Sequence, residues 1–134
     1  MEHQWRSGLE RTVGDGLREL GVKYEYESEK LKYTLPEESH TYTPDFKVDG
    51  LYIETKGKFT AVDRKKMKHV FLSNPGLKLV MAFPKPNNKL RKGSKTTYAM
   101  WCNKNGIPWI SVDDLLNHYK KGKAYHADLL QRRA

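Results

Sequence analysis

Asp45, Glu54 and Lys56 are residues of this chain whose types and spacing could do chemistry. They lie in residues 43–56, TPDFKVDGLYIETK, where Phe46, Val48, Leu51, Tyr52 and Ile53 make two strand-like runs rich in β-branched and aromatic residues. Asp49-Gly50 between the runs is a two-residue hairpin signal, because a type I′ turn needs positive φ at both central positions. With those two as the loop, Val48 faces Leu51, Phe46 faces Ile53 and Asp45 faces Glu54. Opposed Cβ atoms lie roughly 4.5–5.5 Å apart, and like charges there repel. Lys56, two residues beyond Glu54, shares its face of the strand. Two acids and one base on a patch have two readings. One is a divalent metal held by carboxylate oxygens, as Mg²⁺ often is; the other is a salt-bridged surface hairpin with Lys56 as counter-ion. Spacing alone does not separate them.

As a metal site, the patch suits phosphodiester hydrolysis. That reaction needs a nucleophilic water, stabilisation of the charge on a pentacoordinate phosphorus, and help for the leaving oxygen. Asp45 and Glu54 could hold one or two ions, with the Thr55 backbone carbonyl as a further oxygen ligand. Lys56 could contact the scissile phosphate and orient or help deprotonate the water. Two neighbouring carboxylates favour its charged form, so an electrostatic role comes before a general-base role.

The composition limits the partners. A length of 134 residues fits one domain spanning 1–134. The chain is 37% hydrophobic and 31% charged, an ordinary balance for a folded soluble protein. No apolar run approaches the ~20 residues that span a bilayer, so no membrane partner is expected, and the N-terminus lacks a secretory pattern. Cys102, the only cysteine, excludes an internal disulfide and a multi-Cys zinc site, and reads as a small buried hydrophobe. Together these point to cytoplasmic surroundings. The formal net charge of +9 favours a polyanion, most commonly nucleic acid; a small-molecule substrate is not expected.

The elements that must position the patch follow from pattern. Residues 5–20 read as a helix with Leu9, Val13, Leu17 and Leu20 as its apolar stripe, Ser7 as cap and Gly21 as stop. Gly14 and Gly16 weaken that helix by roughly 1 kcal/mol each, so packing or a close approach must compensate. Glu10 flanks the stripe and, taken alone, is an ordinary first-turn glutamate. Residues 22–28 alternate as a half-buried strand and 30–35 continue as a second. The PEESH run at 36–40 is a turn, or an extended bridge (about 35–41) leading the chain away from its own first helix. After the hairpin, 60–74 form a helix with Val62, Met67, Val70 and Phe71 buried and Arg64, Lys65, Lys66 and Lys68 exposed. LKLVMAF at 77–83 is an interior strand covered on both faces, with some parallel pairing. Residues 84–95 form a mobile basic loop whose Lys85, Lys89, Arg91, Lys92 and Lys95 suit phosphate contact. A helix ending at Gly106, a short strand at 107–110, a helix capped by Ser111 and a basic tail (120–134), frayed apart from a turn at Leu129-Leu130, complete the chain. The order α-β-β-β-α-β-α-β-α describes an α/β fold with a mixed sheet flanked by helices, centred on the hairpin.

PD followed by E-x-K resembles the loose signature of the PD-(D/E)xK nuclease superfamily, which implies a restriction-endonuclease-like sheet. More specifically, WRSGLE (5–10), YEYE (24–27), HTYTPDF (40–46), ETKG (54–57), DRKK (63–66) and KGS-x-T-x-Y (92–98) resemble the phage endonuclease I family. These enzymes cut four-way (Holliday) DNA junctions, and the resemblance runs in order from about residue 5 to 110. It implies that Glu10 joins Asp45, Glu54 and Lys56 in a Mg²⁺ site, with Mn²⁺ expected to substitute, and that Glu25 has a supporting role. It further implies an intertwined homodimer that exchanges elements across the 35–41 bridge, so that Glu10 of one chain completes the other's site. Arg6, Arg64, Lys65 and Lys66 join the basic loop as expected DNA contacts, and a phage protein of this kind works in the host cytoplasm. Three other readings compete: a non-catalytic structure-selective DNA-binding protein, a restriction- or repair-type nuclease on duplex DNA, and a structural RNA-binding protein.

Overall fold

The computed structural model describes residues 4–35, 38–122 and 127–130. Helix α1 (Gly8–Glu19) starts where the Ser7 hydroxyl accepts the Glu10 N–H, and the chain leaves it through Gly21 at φ +69°. Trp5 stands outside the helix and lays its ring over Gly14, where a Cβ would overlap it; at Gly16 a Cβ would sit 2.9 Å from Leu116. The two glycines expected to weaken the helix are therefore points of close approach by other side chains.

Strand β1 (Glu25–Tyr26) is shorter than its alternating sequence suggests, because Glu27 turns into the left-handed region at φ +48°. Strands β2 (Leu31–Leu35) and β3 (Glu38–Tyr42) pair antiparallel with each other as a separate two-stranded sheet. Of the two alternatives for the PEESH run, the single chain shows the turning back: residues 38–42 lie along residues 31–35, while 36 and 37 fall outside the described residues.

Strand β4 (Phe46–Val48) and strand β5 (Leu51–Thr55) form the hairpin in the expected register, Phe46 opposite Ile53 and Val48 opposite Leu51. Asp49 and Gly50 take φ of 46° and 87°, as a type I′ turn requires. Helix α2 (Ala61–Ser73) opens on a reciprocal capping box between Thr60 and Asp63. Strand β6 (Leu79–Phe83) runs parallel to β5, and strand β7 (Trp109–Ser111), after helix α3 (Tyr98–Lys104), runs parallel to β6. Helix α4 (Val112–Lys120) begins where Ser111 accepts the Asp114 N–H, and helix α5 (Ala127–Leu130) follows. The five-stranded mixed sheet has the order β1-β4-β5-β6-β7, which makes β5 its central strand.

Apolar residues fill both faces of that sheet. Val13 and Leu17 of α1 and Leu115 of α4 pack with Phe46, Leu51, Ile53, Val80, Ala82 and Ile110 on one side. Met67 and Val70 of α2 pack with Phe59, Leu79, Met81, Phe83, Tyr98 and Cys102 on the other. β6 alternates between the two cores, which is why its sequence is continuously apolar.

One expectation about packing changes. Val62, expected in the core, is 77% exposed; five residues before the buried Met67 it is rotated by roughly 140° around a helix of 3.6 residues per turn. In the tail, the turn expected at Leu129-Leu130 lies in α5, where Leu129 is buried in the core and α5 contacts β6 and β7. The rest of the tail at 123–126 and 131–134 lies outside the described residues. The basic loop is a set of turns closed by backbone hydrogen bonds, Asn88 to Lys85 at 3.0 Å and Leu90 to Thr96 at 2.9 Å.

Candidate active site

The open end of the central hairpin, the start of α1 and the exit of β1 converge. Asp45 and Glu54 sit just past the last β4–β5 pair, and the Asp45 N–H donates to Glu54 Oε1 at 3.2 Å. Tyr42, at the end of β3, donates its hydroxyl to the same oxygen at 2.7 Å. Thr55 donates both its N–H and its hydroxyl to Asp45 Oδ2, at 2.9 and 2.8 Å. The Ser7 cap fixes Glu10 in the first turn of α1, where its Oε1 accepts the Arg6 N–H at 3.2 Å and the Tyr26 hydroxyl. Glu10, Asp45 and Glu54 are buried, as is Thr55, and buried carboxylates are uncommon because burial disfavours their charge.

A third carboxylate completes a cluster that spacing did not suggest. Glu10, Glu27 and Asp45 each bring an oxygen within 4.8 Å of the others. Glu27 reaches this position through its left-handed backbone, with its N–H on the Asp45 carbonyl at 2.9 Å and its Oε2 3.0 Å from Arg6 Nε. Glu25, for which a supporting role was expected, is exposed on β1 opposite Lys47, outside that cluster. Strand alternation gives Glu25 and Glu27 equivalent positions, so only the backbone turn after Tyr26 distinguishes them.

Burial pushes the Glu54 carboxyl up to about 8, and the Asp45 charge adds to it; the Tyr42 hydroxyl and Lys56 pull the other way. Burial likewise lifts Asp45 to about 6, against the two Thr55 hydrogen bonds, with Glu10 adding repulsion and Lys56 relieving some of it. Burial also raises the hydroxyls of Tyr26 and Tyr42, and their carboxylate neighbours add to this, so both stay protonated donors.

Lys56 is half-buried, and its ammonium lies 3.3 Å from Asp63 Oδ1 rather than on either hairpin acid. The surface salt-bridge reading of the hairpin therefore does not describe this site. Burial opposes ionisation of Asp63, but the Thr60 N–H and the Lys56 charge outweigh it and hold the acid below its ordinary value. All-oxygen donors at this spacing fit a hard divalent cation such as Mg²⁺ or Mn²⁺.

The expected DNA contacts divide by environment. Lys65, Lys85, Lys89, Arg91, Lys92 and Lys95 are exposed. Arg6 is exposed but paired with Glu27, Arg64 Nη1 donates to the Phe59 carbonyl at 2.7 Å, and the Lys66 ammonium stands 5.1 Å over the Tyr42 ring.

The structure thus defines an α/β protein with buried acids beside a lysine at the mouth of the central hairpin of its mixed sheet. The phage endonuclease I family model matches residues 1–124, and the chain belongs to that family. Among its relatives is "Endodeoxyribonuclease 1" of Enterobacteria phage T3, 43% identical over 104 residues, which cover 77% of this chain and 68% of the relative. "Endonuclease I" of Escherichia phage T7 is 43% identical over 104 residues, covering 77% of this chain and 70% of the relative. Among the described residues no helix is long and apolar enough to cross a membrane.

Proposed function

We propose that this protein is a Mg²⁺-dependent endodeoxyribonuclease that resolves four-way and other branched DNA junctions by cutting opposing strands. The observation that carries this is the buried set of Glu10, Asp45 and Glu54 beside Lys56, in a chain of the phage endonuclease I family. A relative named as an endodeoxyribonuclease supports DNA as the substrate. Asp45, Glu54, Glu10 and the Thr55 carbonyl would hold one or two ions, which when bound supply Lewis-acid stabilisation of the phosphoryl charge and a more acidic water. Lys56, released from Asp63, reaches the scissile phosphate and orients the attacking water. The basic loop and the exposed start of α2 bind flanking phosphates, a sequence-independent interaction suited to reading shape.

Two sites held at a fixed separation would make paired cuts, so the working unit is a homodimer. Exchange across residues 35–41 would replace the intrachain packing of α1 and β1 with the same packing from a partner, the low-cost route of domain swapping. Glu10, which here meets its own chain's Asp45, would then meet the partner chain's.

Purified protein with Mg²⁺ should introduce paired nicks into a four-way junction and cut matched linear duplex far more slowly. Equal rates on both would remove the junction claim and favour a repair- or restriction-type nuclease. Asp45→Asn should abolish cleavage while preserving junction binding. Binding without product under any divalent ion, in the unmodified protein, would leave only a structure-selective binding protein.

A further inference from the structure

Glu10, Asp45 and Glu54 share one hydrogen-bonding pattern. In each, one oxygen accepts two donors, one a backbone N–H and one a hydroxyl. Glu10 Oε1 takes Arg6 N–H and the Tyr26 hydroxyl; Asp45 Oδ2 takes Thr55 N–H and its hydroxyl; Glu54 Oε1 takes Asp45 N–H and the Tyr42 hydroxyl. The other oxygens, Glu10 Oε2, Asp45 Oδ1 and Glu54 Oε2, take no hydrogen bond from the described residues. Asp63 shows what this arrangement does: Thr60 donates its N–H and hydroxyl to Oδ2, and Oδ1 is left facing a cation, the Lys56 ammonium.

A carboxylate free to rotate presents either oxygen, and an ion that binds it must first freeze that rotation. Two donors on one oxygen freeze it beforehand and aim the other. We infer that Tyr26, Tyr42 and the Thr55 hydroxyl are positioning residues that set the divalent-cation affinity of the site, each by anchoring one oxygen of one acid. Partners of this outer kind are worth roughly 10–100-fold in metal affinity or activity. The inference rests on the metal-site reading above and deepens it.

The anchors also tie the site to distinct elements. Tyr26 comes from β1, Thr55 from β5, and Tyr42 from β3, the strand returning from residues 36 and 37. Tyr42 is 3% exposed, so its hydroxyl reaches Glu54 only when β3 is seated against the sheet. Cation affinity thus reports whether the β2–β3 arm is docked.

The test is calorimetric titration of Mn²⁺ into the full chain without DNA, comparing the unmodified protein with Tyr26→Phe, Tyr42→Phe and Thr55→Val. Each substitution removes one hydroxyl at nearly constant volume and keeps every backbone donor. Each should weaken Mn²⁺ binding by about 10–100-fold. The Mg²⁺ midpoint for junction cleavage should move by the same factor, while for Tyr26→Phe and Tyr42→Phe the rate at saturating Mg²⁺ stays close to that of the unmodified protein. Tyr52→Phe, whose hydroxyl faces Glu29 instead, should change neither. If Tyr42→Phe does not fold, Tyr26→Phe and Thr55→Val carry the comparison. Unchanged Mn²⁺ affinity in folded variants overturns the inference and leaves the metal site standing. An unmodified protein that binds no Mn²⁺ overturns both, and shows it before any variant is compared.

Discussion

Asp45 and Glu54 occupy a place where neither can ionise without cost, since both are buried, Asp45 is repelled by Glu10 and Glu54 by Asp45. Both folded-state values, about 6 and about 8, lie above those of the unfolded chain, so the folded protein binds more protons there and its metal-free stability falls as pH rises. The loss begins above the ordinary carboxylate range and is complete once pH passes about 8. A bound cation requires the ionised acids, so its stabilisation should grow through the same window. Thermal melts with EDTA and with Mg²⁺ should therefore differ little near pH 5 and widely near pH 8.5; a gap independent of pH would remove these acids as the ligands. The Thr60 cap holds Asp63, and through it Lys56, in place. Thr60→Ala should cost about 1 kcal/mol of stability, read as a lowered thermal midpoint.

At the scale of elements, α1 is held by what lies against its glycines. Alanine at Gly14 would gain up to ~1 kcal/mol in helix propensity, yet its methyl would collide with the Trp5 ring, and overpacking of this kind costs roughly 1–3 kcal/mol. Trp5 lies edge-on to Tyr26 at 4.7 Å, and Tyr26 holds Glu10. Gly14→Ala should thus lower both the urea midpoint and the cleavage rate. Gly8→Ala, with open space around its Cβ, should leave the urea midpoint unchanged or slightly raised. A stabilised Gly14→Ala would mean that the ring moves freely and that α1 is not seated through Trp5.

Across the whole molecule, the +9 charge is not spread evenly over function. Lys89, Arg91 and Lys92 are exposed on a loop braced by its own backbone hydrogen bonds, whereas Arg6, Arg64 and Lys66 are engaged within the fold. Replacing the three loop residues with Gln should weaken junction binding at low salt and reduce the slope of log K against log salt by roughly 0.9 for each phosphate no longer neutralised. An unchanged slope would place the DNA elsewhere. The same binding unit should have a solution mass near twice 15.6 kDa, and a stable monomer that still makes paired cuts would contradict the exchange of α1.

Much of this protein was legible locally. The Asp49-Gly50 turn sets the register of β4 on β5 by its own dihedral needs, and that register alone brings Asp45 and Glu54 together. The apolar run of β6 and the caps at Ser7 and Ser111 likewise depend on residues close in sequence. What sequence could not determine depends on groups far apart along the chain. Glu27 enters the acid cluster because the backbone turns left-handed where it meets the Asp45 carbonyl, and alternation is blind to such a turn. Lys56 chooses Asp63 over the hairpin acids because α2 begins beside it. Val62 is exposed through the rotation of its helix, and Leu129 is buried through the packing of α5. Short-range dihedral and capping preferences are written in neighbouring residues; the partner of a buried charge is set by which elements pack against it, and only the tertiary structure decides that.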